Sequence, residues 1–176
     1  MKNNWSDIEA KKYIRKYIKL GHSKDMALRV YTTRLLGRNK ELVLHGGGNT
    51  SVKIKTKDID GKIYDVLCVK GSGWDMAEIE PQGLPAVKLN PLLSFKNKKY
   101  LSDDDMVSFQ KRNLINSKSP NPSVETFLHA FLPHKFVDHT HSDAIMKLTN
   151  RSNGIELCKK TFGAKVGIVP YVMPGF

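Results

Sequence analysis

The chain has 176 residues, 40% of them apolar, and a formal net charge of +12 at pH 7. That length suits one domain whose core buries roughly 70% of the unfolded surface; the spread of Gly and Pro excludes bulk disorder, and no run approaches the roughly 18 apolar residues of a membrane span. The lysines are dispersed, without interleaved aromatics or a zinc-finger or RNA-recognition signature, which argues against nucleic acid and leaves a field that attracts anionic substrates.

Cys68 and Cys158 have no Cys-x-x-Cys partner, so buried free thiols are expected rather than a disulfide. No apolar run follows Lys2, so the N-terminus does not read as a secretory signal and a cytoplasmic protein is expected.

Ser6 and Glu9 form a capping box for a first helix with Ile8, Ile14, Tyr17 and Ile18, ending at Gly21. Ser23 opens a second, with Met26, Ala27, Val30, Tyr31 and Leu35 inward and Gly37 as its stop. Both read as packing elements.

Glu41 to Leu44 reads as a short strand entering the loop His45-Gly46-Gly47-Gly48-Asn49-Thr50-Ser51, after which Val52 and Ile54 alternate with Lys53, Lys55 and Lys57. A nucleotide P-loop needs a different spacing and a following helix. A lipase-type oxyanion loop needs a Gly-x-Ser-x-Gly elbow, which the sequence lacks. Two readings remain open: a backbone that approaches an anion closely, or a glycine-rich hairpin.

Asp58 to Lys62 is a turn and Ile63 to Val69 the returning strand, so residues 51–69 read as a hairpin. It delivers Lys70-Gly71-Ser72-Gly73, a second possible anion cradle, with Lys70 read as a solvated strand-end lysine. Asp75 to Ile79 reads as a helical turn, Ala86 to Leu89 as an edge strand, and Ser102 as the cap of a helix carrying Met106, Phe109 and Leu114.

Asn121-Pro122-Ser123 is a helix-start signal, and Val124, Phe127, Leu128 and Phe131 follow at helical spacing. Glu125 falls off that stripe in the first turn, where the helix dipole favours a carboxylate, and His129 lies one turn on. Alone, Glu125 reads as an acid stabilising its own helix, or with His129 as an ordinary surface pair. After Pro133, Phe136 to His141 reads as a strand, which puts His139 and His141 on one face about 6–7 Å apart, close enough to share an ion. A bare His-x-His is more often polar surface. Ser142 then caps a helix with Ala144, Ile145 and Leu148, a helix around Ile155 to Thr161 stops at Gly163, and Val166 to Val169 reads as a strand.

Taken together, Asn121-Pro-Ser-Val-Glu125 through Asp138-His-Thr-His-Ser-Asp143 resembles the class II aldolase/adducin family. Within it, the wording resembles the aldolase half of bifunctional rhamnulose-1-phosphate aldolase/short-chain dehydrogenase proteins. Over Ser6 to Phe176 the resemblance implies an α/β fold of αβα layers with a mainly antiparallel central sheet, which the hairpins also suggest. It further implies Glu125 as the catalytic acid/base and Zn2+ held by His139, His141 and a third histidine downstream. Phosphate contacts fall on Gly48, Asn49, Ser72, Gly73 and Ser123. Val124 stands where many relatives carry a second hydroxyl residue, which puts that contact in doubt.

The function so implied is zinc-dependent retro-aldol cleavage of a ketose 1-phosphate to dihydroxyacetone phosphate and an aldehyde. The expected partner is a phosphorylated sugar, without nucleic acid or membrane, and a complete domain of this kind is expected to form a homo-oligomer. No histidine follows His141, so the C-terminal part of the domain is expected to be missing and the chain alone to bind zinc weakly, with little turnover. His45 and His129 are other candidate ligands, though neither matches the family's. The alternative is a non-catalytic adducin-like binding module, against which the retained Glu125, His139 and His141 speak.

Overall fold

The computed structural model describes residues 3–173 and 175–176. Met1 and Lys2, where the secretory-signal reading begins, lie outside the described residues, as does Pro174.

Helices α1 (Asp7–Lys19) and α2 (Lys24–Gly37) start where their serines place them. Ser6 Oγ accepts from the Glu9 N–H at 3.3 Å and Ser23 Oγ from the Met26 N–H at 3.2 Å, so each satisfies an amide that the first turn leaves free. Strands β1 (Asn49–Lys57) and β2 (Ile63–Val69) form the expected antiparallel hairpin, with Ser51 opposite Val69 and Lys57 opposite Ile63. Strands β3 (Ala86–Lys88) and β4 (Phe136–His139) add antiparallel on either side, giving the order β3-β2-β1-β4.

Strand alternation divides the apolar residues between two cores. Val52, Val66 and Cys68 meet Tyr17, Met26, Ala27 and Val30 of α1 and α2 on one face. Leu67, Val69 and Val87 meet Leu92, Met106, Phe127 and Ala130 on the other, contributed by α3 (Leu89–Leu93), α4 (Asp103–Arg112) and α5 (Thr126–Phe131). The result is helix, sheet, helix: αβα layers around an antiparallel sheet. Burying one such aliphatic or aromatic side chain contributes about 1.5–3 kcal/mol, enough to hold in place a helix as short as α5. Beyond β4 lie α6 (Asp143–Thr149) and α7 (Gly154–Phe162), the latter stopped by Gly163 at φ 57°.

Three sequence expectations fail here. Glu41 to Leu44 is no strand, because the Asn39 carbonyl takes the Leu42 and Val43 amides and curls the segment into turns. Its carbonyls still serve the site: Leu42 accepts from the His141 N–H and Glu41 from the Asp143 N–H. Val166 to Val169 is also not a strand; the sheet's two edges are β3 and β4, and 166–169 pairs with neither. The third failure concerns α5, which begins at Thr126 rather than at Pro122. Pro122 is held in an antiparallel bridge with Gly71, and a turn follows, in which Ser123 Oγ accepts from the Glu125 N–H at 3.2 Å and the Ser123 carbonyl from the Thr126 N–H. The buried face of α5 is consequently Thr126, Phe127, His129 and Ala130, while Val124 and Leu128 are exposed.

Candidate active site

The first residue of β1, the end of β2, the last residue of β4 and the start of α5 meet at one end of the sheet. Asn49 opposes His139 in the β1–β4 register, and Ser51 opposes Val69 in the β1–β2 register. Glu125 sits at the N-cap of α5 above them. Its Oε2 accepts from Asn49 Nδ2 at 3.0 Å and lies 3.5 Å from Ser123 Oγ, and its Oε1 is 3.1 Å from His139 Nδ1. That last contact is a close approach rather than a well-formed hydrogen bond, since His139 Nδ1 is left without a hydrogen-bond partner. The proximity of His139 is the largest influence on Glu125; with the Asn49 bond it outweighs burial and holds the carboxyl at about 2.

His139 and His141 face the same way, with ring centroids 4.9 Å apart, although β4 ends at His139 and His141 lies beyond it. The structure thus brings Glu125, His139 and His141 to one place. The glycine loop passes beneath them. A Cβ on Gly47 would lie 3.2 Å from His141 Nδ1, and one on Gly48 would lie 2.8 Å from the His139 carbonyl oxygen. Gly48 also has φ 69°, a conformation that only glycine adopts without strain.

The phosphate candidates fall around the same centre but are not all free. Asn49 is buried and its amide nitrogen is committed to Glu125. The Ser72 N–H donates to the Asn121 carbonyl at 2.9 Å, so this amide is not open to an anion, whereas the Ser72 and Gly73 surfaces are exposed. Ser123 follows Pro122, which bridges to Gly71, and its Oγ lies against Glu125. Lys70, expected in solvent, is buried, its Nζ donating to the Gly46 carbonyl at 3.1 Å and so tying the two glycine loops together. Burial lowers its pKa.

Two further residues sit otherwise than the sequence suggests, one read differently and one passed over. His129, expected on the surface, is fully buried with Nδ1 2.8 Å from Ser51 Oγ; burial pushes its pKa down to about 4, so the ring is neutral. The signal was present in its neighbours Thr126 and Ala130, whose small side chains let that face of α5 approach β1. Arg29, inside the apolar run of α2, is also fully buried. It donates to the Ser51 and Val137 carbonyls at 3.2 and 3.3 Å and to Asp138 Oδ1 at 2.5 Å, pinning β1 to β4 next to His139.

Can these residues accommodate a metal? Glu125, His129 and His139 each offer a ligand atom, and the three atoms lie within 4.8 Å of one another. His129 Nε2, His139 Nδ1 and Asn49 Oδ1 are all buried without a hydrogen-bond partner. Buried polar atoms of this kind are rarely left unpaired, and an imidazole nitrogen, a carboxylate oxygen and an amide oxygen can all face a cation. The donor set of nitrogen and oxygen suits zinc. A separate groove of about 690 Å³ beside His22, Met26, Lys55 and Lys57 contains none of these residues.

Residues 27–176 match the family Class II Aldolase and Adducin N-terminal domain. The chain is 39% identical to the N-terminal class II aldolase domain of a conserved protein from Thermoplasma acidophilum, with a TM-score of 0.85, covering 100% of this chain and 76% of that one. It is also 41% identical over 147 residues to an uncharacterized oxidoreductase, YuxG, of Bacillus subtilis (strain 168), covering 84% of this chain but only 21% of that protein. Among the described residues no helix is long and apolar enough to cross a membrane. With the match extending over most of its length and the layered sheet in agreement, the chain belongs to the class II aldolase and adducin N-terminal domain family.

Proposed function

We propose that this domain cleaves a carbon–carbon bond in a ketose 1-phosphate by retro-aldol chemistry, releasing dihydroxyacetone phosphate and an aldehyde. The observation that carries the reading is the convergence of the Glu125 carboxylate on His139, 3.1 Å apart, amid buried polar atoms without partners.

His139 and His141 are the ligands that the family resemblance implies for zinc, with Glu125 beside them. When bound, zinc supplies Lewis-acid stabilisation of the negative charge that develops as the bond breaks. Glu125 handles the proton: ionised, it takes a proton from carbon in the condensation direction, and its conjugate acid returns it in cleavage. A carboxyl held at about 2 is a weak base. Burial alone raises it, so turning His139 away from Glu125 makes the carboxylate a better proton acceptor. Ser72, Gly73 and Ser123, with Gly48 and Asn49 behind them, hold the phosphate, and buried Lys70 adds positive charge nearby.

Proton transfer can be tested without full turnover. Dihydroxyacetone phosphate in deuterium oxide, with zinc and the chain, is expected to exchange one carbon-bound hydrogen, and Glu125→Gln to slow that exchange by about 10²-fold or more. Phosphate binding without any exchange would overturn the aldolase reading in favour of a binding module.

A further inference from the structure

We propose that His129 is a positioning residue for the proton-transfer step: the hydrogen on its Nε2 holds the Glu125 carboxylate in place when His139 turns away from it. The proposal deepens the acid/base part of the reading above and leaves the metal to His139 and His141. Its starting point is spacing. The His129 N–H donates to the Glu125 carbonyl at 3.1 Å, and side chains four residues apart share one helix face. A ring nitrogen of His129 and a carboxylate oxygen of Glu125 accordingly lie within 4.8 Å of each other, a gap that rotation of the Glu125 side chain can close.

The next point is which nitrogen carries the hydrogen. His129 is fully buried and its ring is neutral, so one nitrogen donates and the other accepts. Ser51 Oγ lies 2.8 Å from Nδ1 and has no other hydrogen-bond partner among the described residues. With the hydrogen on Nδ1, the Ser51 hydroxyl would be a buried donor without an acceptor, and Nε2 a buried acceptor without a donor. With the Ser51 hydroxyl donating to Nδ1, the one unmatched group left is an Nε2–H. Each unmatched buried polar group costs about 1–3 kcal/mol, which selects the second arrangement. The nearby charge selects it too, since a carboxylate attracts an N–H and repels a lone pair.

The Glu125 oxygens are shared between Asn49 Nδ2, at 3.0 Å, and the approach of His139, at 3.1 Å. Turning His139 away leaves Oε1 without that neighbour, and the His129 N–H is the unused donor beside it. A carboxylate has about four acceptor positions on its two oxygens, so bonds from Asn49 and His129 fix its direction and leave positions for the proton it moves. A neutral N–H does this without setting a positive charge against the base. A nitrogen that bears hydrogen cannot also bind a cation, so His129 stands outside the metal's ligands.

Long-range proton–nitrogen NMR of the metal-free, 176-residue chain tests the first half of the proposal: His129 Nε2 is expected to carry the hydrogen and Nδ1 to be bare. On addition of zinc and dihydroxyacetone phosphate that proton is expected to move downfield in the unmutated chain and to stay in Glu125→Gln. The hydrogen-exchange assay tests the role. His129→Leu removes the donor and is expected to lower kcat for exchange by about 10–100-fold, the cost of a misplaced group, with KM changed by less than about 3-fold. His129→Gln keeps an N–H at similar reach and is expected to stay within about 3-fold of the unmutated chain in both. A hydrogen on Nδ1, an Nε2 proton that moves no further in the unmutated chain than in Glu125→Gln, or equal losses in the Leu and Gln variants would overturn the proposal. Exchange absent from the unmutated chain, with the Nε2 proton shifting as expected, would instead remove the aldolase reading and leave the hydrogen bond standing.

Discussion

Strand β2 and helix α6 are both seven-residue segments with apolar residues at regular spacing, yet the fold uses them differently. Val66, Leu67, Cys68 and Val69 of β2 are all buried, because a sheet with helices on both faces gives each side of the strand a partner. Helix α6 buries none of its residues: Ile145 and Met146 remain about two-fifths exposed. Apolar periodicity therefore reports which face of an element can be buried, and only the arrangement of other elements decides whether it is. The site borrows its rigidity from the first kind of region. Glu125, His129 and His139 stand on α5 and β4, which pack against β1 and β2.

The contrast predicts a graded set of responses. The largest is for Leu67→Ala, which empties fully packed space and is expected to lower unfolding stability by about 3 kcal/mol, against less than about 0.5 kcal/mol for Ile145→Ala. Urea denaturation of the two variants checks the pair, and equal losses would break the comparison. Next is Arg29→Met. It leaves the Ser51 and Val137 carbonyls without the donor they share and is expected to cost about 2 kcal/mol, with a loss of zinc affinity that Ile145→Ala does not show.

A different kind of response is that of the metal-free chain to pH. His129 sits at about 4 in the folded chain against an ordinary value of 6.5, so the unfolded chain takes up that proton first. Its stabilising contribution is complete above about pH 6.5 and is lost as pH falls toward 4. Glu125, at about 2 against 4.5, follows: its contribution is complete above about pH 4.5 and declines toward 2. Melting temperature should fall in two overlapping stages, and His129→Gln should remove the first. An unchanged upper stage in that variant would show that another group titrates there.

Much of this was legible in the sequence because it depends on local chemistry. Ser6, Ser23 and Ser102 each cap a helix through their own hydroxyl, and the Val52, Ile54 alternation placed the hairpin. Glu125 and His139 were legible through the wording around them. The misreadings share a cause. Glu41 to Leu44 has strand-like residues, but the Asn39 carbonyl bends it into turns, and Val166 to Val169 has them but pairs with neither edge of the sheet. Lys70, Arg29 and His129 were read as polar surface or passed over because burial of a polar side chain depends on partners remote in sequence: Gly46 for Lys70, Val137 and Asp138 for Arg29, Ser51 for His129. A Ser-Val-Glu start to α5 could not be told from a Ser-capped turn, since the deciding contact is the bridge of Pro122 to Gly71.

The pairing of β4 with β1 has a kinetic meaning. The β1–β2 hairpin closes over a short turn, but the contacts that bring β4 alongside, such as Lys53 Nζ to the His134 carbonyl, join residues 81 apart in sequence. Closing so long a loop is entropically unfavourable until many contacts form at once. The hairpin needs only a short loop to close, whereas the pairing of Asn49 opposite His139 needs that long one. The arrangement of the site therefore depends on the same long-range closure that completes the sheet.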